Sequence, residues 1–163
     1  MNRTEAWFVH LSTLLVGVTG IVYAIMRYGM TSVDEFAIVN HPWQADVQHY
    51  HILFAPLLVF AVGLIWKRHI ATHYRMGLKT GRRSGVEMVL SLVPMTVSGY
   101  LIQVTSAEPW RNIWIVVHVT TSGLWLAGYA VHQFMALRRK RESASDNGTS
   151  VPEEPRQPAA VTP

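Results

Sequence analysis

The chain has 163 residues, half of them apolar, only 15% charged, and none of them cysteine. The missing thiol excludes disulfide frameworks, zinc–thiolate centres, iron–sulfur clusters and cysteine nucleophiles. Soluble domains carry about 25% charged residues, and here the 24 charged side chains leave four uncharged windows, 6–26, 47–66, 88–107 and 112–137. About 20 apolar residues cross a bilayer core as a helix, so each window is long enough for one crossing. Together they take 87 residues, which leaves no room for a Rossmann unit, a phosphate-binding loop or a second catalytic domain.

In chain order the pattern predicts helices over 5–27, 46–67, 86–104 and 111–137. A loop of about 19 residues, a basic loop and a short turn connect them, as in an antiparallel up-down bundle. Asn2 with Glu5 has the spacing of a capping pair at the first helix, and Ser32 with Glu35 has it for a short surface helix in the first loop. The first window is long for a secretory signal and lacks a clear small-residue cleavage site, so it is read as a retained span. Pro56 and Pro94 fall inside helices two and three and are expected to kink them. Small residues mark expected close approaches: Thr13, Gly17, Gly20 and Ala24 in helix one, Ser98 and Gly99 in helix three, Gly123 and Ala127 in helix four. Residues 1–141 form the transmembrane domain. Residues 142–163, with four of the eight prolines, read as a disordered cytoplasmic tail.

The net charge of +4 is sorted by loop. Lys67, Arg68, Arg75, Lys79, Arg82 and Arg83 lie between windows two and three against the single acid Glu87, and Arg138, Arg139, Lys140 and Arg141 follow window four. The alternate loops carry Arg27 and Arg111 against Asp34, Glu35, Asp46 and Glu108. By the positive-inside rule both termini and the 67–87 loop face the cytoplasm. The basic balance therefore records topology, and no nucleic-acid-binding motif accompanies it.

Five of the eight histidines, His10, His49, His51, His118 and His132, lie inside the uncharged windows. Ionisable groups at that depth are costly and face the bundle interior, where they mark function; the plainer reading of any single one is a ring bonded to a carbonyl near the interface. Their levels argue for more. His118 and His132 are 14 residues apart, about 21 Å along one helix and within roughly 40° of one face. His10 matches His132 in depth near the inner side, and His51 matches His118 near the outer side. Two stacked cross-helix pairs suit two planar apolar cofactors ligated on both faces. Haem b fits, and without a C-x-x-C-H motif it is held noncovalently. Zinc finds too few ligands at either level; copper, with Met26, Met88, Met95 or Met135 as soft donors, is a further reading beside ordinary methionine packing. His49 and His51 point about 200° apart, so one alone faces the core. His51 is favoured because Ala55 lies one turn below it, with His49 the alternative. His69, five turns after His51 on the same face, is the alternative inner ligand. His41 and His73 read as solvated loop residues.

This pattern resembles the four-helix di-haem b membrane cytochromes, the group of prokaryotic cytochrome b561 proteins and of the cytochrome b subunits of formate dehydrogenases and nickel–iron hydrogenases. The likeness covers 5–135 and rests on His10 followed by Thr19-Gly20, His51 with Ala55 and then Arg68-His69, Ser98-Gly99, and the His118/His132 spacing. Helix two departs from the group in having two histidines where one is expected, and Ala55 stands where glycine is frequent. The resemblance implies an inner haem on His10 and His132 and an outer haem on His51 and His118. It also implies a multi-pass protein of a bacterial inner membrane that passes electrons between the quinone pool and a periplasmic c-type cytochrome or catalytic redox subunit. A haem-binding anchor of a larger, homo- or hetero-oligomeric redox complex and a small metal-handling or transport protein are the alternatives. His69, Arg75 and Glu87, with Lys79, are candidates for the quinone side. Arg111 and Trp110 are placed to meet haem propionates, and the loop of Asp34, Glu35 and His41-Pro42-Trp43 is the expected docking surface.

Overall fold

A computed structural model describes residues 2–32, 34, 36–76 and 82–149, with the side chains of 82, 83 and 146–149 outside that description. The described residues are almost wholly helical and contain no strand. Helix α1 is Arg3–Ala24, continued by a π-helical turn, Ile25–Gly29. Helix α2 is Gln44–Ile65, continued by a π-helical stretch, Trp66–Ala71, and a short α-helical turn, Thr72–Arg75. Helix α3 is Arg82–Val104 and α4 is Glu108–Thr149. All four are long and apolar enough to cross a membrane. Together they form a four-helix bundle in which α1 packs mainly on α2 and α3 mainly on α4.

The helices overrun their expected ends where no residue stops them. The α4 sequence continues past Leu137 into Arg138, Arg139, Lys140, Arg141, Glu142 and Ala144, all good helix formers, and the helix runs to Thr149. That is eight residues beyond the boundary drawn at 141, and residues 150–163 lie outside the described residues. Helices α2 and α3 are each continuous through their prolines. At the start of α1 the Asn2 N–H donates to Glu5 Oε2 at 2.9 Å, which satisfies one of the free donors of the helix end. In the first loop Glu35, and with it the expected Ser32–Glu35 capping pair, lies outside the described residues. There Asp34 N–H donates to Ser32 Oγ at 3.1 Å, and Phe36 N–H donates to Asp34 Oδ1 at 3.0 Å.

The apolar surface faces out as well as in. Leu14, Leu53, Phe60, Leu90, Val93 and Val116 are all more than half exposed, as expected of side chains that meet lipid, while Leu58, Val62, Met95 and Trp125 are buried at the centre. Trp125 stands seven residues from both His118 and His132, so this apolar layer separates two histidine levels. A second buried cluster, Val9, Ala61 and Ile65, closes α1 on α2.

Candidate histidine centres between the helix pairs

At the first level His51 of α2 faces His118 of α4 across the seam between the two helix pairs. Their ring centres are 6.2 Å apart and their planes 81° from parallel. Each ring is held by the helix its own helix packs on. His51 Nδ1 lies 3.1 Å from the Val16 carbonyl and 3.3 Å from Thr19 Oγ1, and His118 Nδ1 lies 2.9 Å from the Met95 carbonyl and 3.5 Å from Ser98 Oγ. A carbonyl only accepts, so Nδ1 carries the proton on both rings and Nε2 keeps its lone pair.

The two cradles share one sequence rule. A carbonyl at position i, a hydroxyl at i+3 and a glycine at i+4 are supplied by Val16, Thr19 and Gly20 on α1 and by Met95, Ser98 and Gly99 on α3. The glycines let the backbone meet the rings: a Cβ on Gly20 would stand 2.8 Å from His51 Cε1, and one on Gly99 would stand 2.9 Å from His118 Cε1. His49 is exposed on the opposite side of α2.

The second level holds three histidines on one cavity wall, His10, His69 and His132, together with Met88, Trp125 and Tyr129. His132 faces His69, with ring centres 6.3 Å apart and planes 86° from parallel. Ser84 Oγ of α3 lies 3.3 Å from His132 Nδ1. His10, expected opposite His132, has its Nδ1 2.6 Å from the Tyr129 hydroxyl, and Tyr129 in turn stacks on Trp125 at 5.7 Å.

The remaining candidates divide. Glu87 sits against Gly128 and lines an open groove with Tyr74, Ser91, Pro94 and Thr121, and Arg75 is exposed. Trp110 and Arg111 are exposed at the start of α4, His41 is edge-on to Trp43 in the loop, and Lys79 lies outside the described residues. Of the glycines of α4, the marked Gly123 has open space where a Cβ would go, and the unmarked Gly128 is the tight one, 2.9 Å from Glu87 Oε2.

Tyr129, Ser84 and Gly128 were not singled out in the sequence. A signal for two of them exists: Ser84 precedes Ser98 by the same 14 residues that separate His118 from His132, and Tyr129 lies three residues before His132 on one helix face.

Chemically, the donor set is paired imidazoles. Among the described residues no group of three or more His, Cys, Asp or Glu side chains converges as a metal site. The two facing pairs have ring centres 6.2 and 6.3 Å apart. No family model, curated protein or solved structure matches the chain.

Proposed function

We propose that the chain is a di-haem b membrane cytochrome, an antiparallel four-helix bundle with both termini in the cytoplasm, that carries electrons across a bacterial inner membrane. The observation that carries the reading is the His51–His118 pair: two rings from different helices, each tied through Nδ1 to a carbonyl, with both Nε2 atoms left to ligate. Metal-bound histidines characteristically donate their other ring N–H in this way, which fixes the tautomer and raises ligand basicity. His118 and His51 hold the outer haem, and His132 anchors the inner one from a wall that also carries His10 and His69.

When bound, a haem supplies a one-electron iron couple at each level. The protein sets the rest. Repeating the histidine after 14 residues places the levels about 21 Å apart along α4, most of the hydrocarbon thickness. Leu58, Val62, Met95 and Trp125 exclude water between them. The basic residues Lys67, Arg68, Arg75 and Arg138–Arg141 hold the inner end at the cytoplasmic face. Glu87, which lines the groove beside α3, is the candidate to take a proton from a quinol, with His69 and Arg75 as the other inner-side candidates. Asp34 and the His41–Trp43 loop present the opposite end to a periplasmic c-type cytochrome or catalytic redox subunit.

Reduced-minus-oxidised absorption spectra of the purified protein test the reading. Two b-type haems per chain, reducible by a quinol analogue, are expected. Absence of b-type bands refutes the cytochrome reading, and haem that quinol fails to reduce leaves a haem-binding anchor.

A further inference from the structure

Resting on the cytochrome reading, with His10 as an inner ligand, we infer that Tyr129 is the positioning residue for His10 and thereby sets the midpoint potential of the inner haem. The His10 Nδ1 lies 2.6 Å from the Tyr129 hydroxyl, closer than the 2.9 to 3.5 Å contacts that Nδ1 makes on His51 and His118. A phenolic hydroxyl accepts as well as donates. With Nε2 on iron the proton of the ring is on Nδ1, so His10 Nδ1–H donates to Tyr129 Oη and the ring is held in its ligating tautomer.

Tyr129 is itself fixed. Its ring stacks on Trp125 with centres 5.7 Å apart and planes 10° from parallel, and Trp125 is buried in the central apolar layer. The His10 ring stands 67° from the plane of Tyr129 and 87° from that of Trp7, so aromatic rings flank it on two sides. His10, Tyr129 and His132 line one cavity, and Tyr129 precedes His132 by three residues on the same face of α4. One helix thus carries one inner ligand and the hydroxyl that orients the other. The outer level works through the Val16 and Met95 carbonyls, which belong to the backbone and which no substitution removes. At His10 the partner is a side-chain oxygen, so its effect on the haem is separable from the fold. A partner that accepts from Nδ1–H raises the basicity of the ligating nitrogen, which favours ferric over ferrous iron and lowers the potential.

Potentiometric titration of the purified full-length protein, followed in its b-type absorption bands, tests the assignment. Tyr129→Phe keeps the ring that stacks on Trp125 and removes only the hydroxyl. Two haems are expected to remain, the outer couple unmoved and the inner couple raised, by about 59 mV for a tenfold loss of ferric preference. Adding His118→Ala leaves the inner haem alone and assigns the shifted couple to it. Haem transfer to an apoglobin is the second readout: the inner haem should leave Tyr129→Phe on the order of tenfold faster than it leaves the wild type, the outer haem at the wild-type rate. An inner couple that stays in place or falls overturns the assignment, because a hydroxyl that only packs, or that donates to Nδ1, does not stabilise ferric iron. So does a shift carried by the outer couple, or an inner haem that leaves no faster. A wild-type protein without haem instead overturns the cytochrome reading on which the assignment rests.

Discussion

The two histidine levels differ in how their rings are held. At the His51 level each ring sits in a cradle of carbonyl, hydroxyl and glycine from its neighbouring helix, and the two cradles repeat each other. At the His132 level the serine–glycine pair recurs as Ser84-Gly85, with Ser84 Oγ 3.3 Å from His132 Nδ1, but a Cβ on Gly85 would meet nothing within 4 Å. One ring meets a serine, another a tyrosine, and a third rides on a π-helical stretch. A ring fixed by backbone and by a missing Cβ has one orientation, because neither can rotate away. A ring whose neighbouring glycine leaves open space, as Gly85 does, is not closed in by backbone in that way. The first level is therefore the more closely packed histidine pair, and the second sets its histidines beside serine and tyrosine hydroxyls.

The comparison is broken most severely by removing a ligand. His118→Ala should abolish the outer haem and leave the inner one, seen as loss of half the haem per chain with the remaining couple intact. If both haems persist, the His51 level is not a haem site. A smaller effect is expected from the cradle. Gly99→Ala places a Cβ 2.9 Å from the His118 ring, and Gly20→Ala one 2.8 Å from His51. Each should weaken retention of the outer haem on the order of tenfold, the range for groups that orient a ligand. Gly63→Ala, with nothing within 4 Å, is the control that should leave haem content unchanged.

Tyr129→Phe sharpens the other side. It removes the 2.6 Å bond to His10 while keeping the ring that stacks on Trp125, at a cost of about 1 kcal/mol in thermal or denaturant stability. The outer haem spectrum should not move. The smallest change is Arg68→Gln. The Arg68–Glu5 pair is 3.3 Å apart with the arginine side chain 70% exposed, so its loss should cost less than about 1 kcal/mol, and less still at high salt.

Much of this arrangement is legible before any coordinates. Four uncharged windows near the bilayer length give four helices, because a buried backbone in lipid must bond within its own segment. Helical periodicity alone puts His118 and His132 on one face and separates His51 from His49, and the structure has His51 facing His118 with His49 exposed. Depth matching is a weaker guide. It places His10 and His132 at one level, and both do line one cavity, yet depth says nothing of azimuth, and the ring that faces His132 is His69.

What the sequence determined by itself is therefore the class of element, the number of spans, the orientation expected from charge and the residue types available for ligation. These follow from local composition and from a period of 3.6 residues, which need no knowledge of neighbours. Only the tertiary structure decided which helix pairs share a seam, that Gly20 and Gly99 are the floors of two ring cradles, and that Tyr129 meets His10. Those facts depend on the rotation of each helix about its axis and on a π-helical offset at Trp66–Ala71. Both are set by side chains packing across the bundle, and neither leaves a mark in the sequence of a single helix.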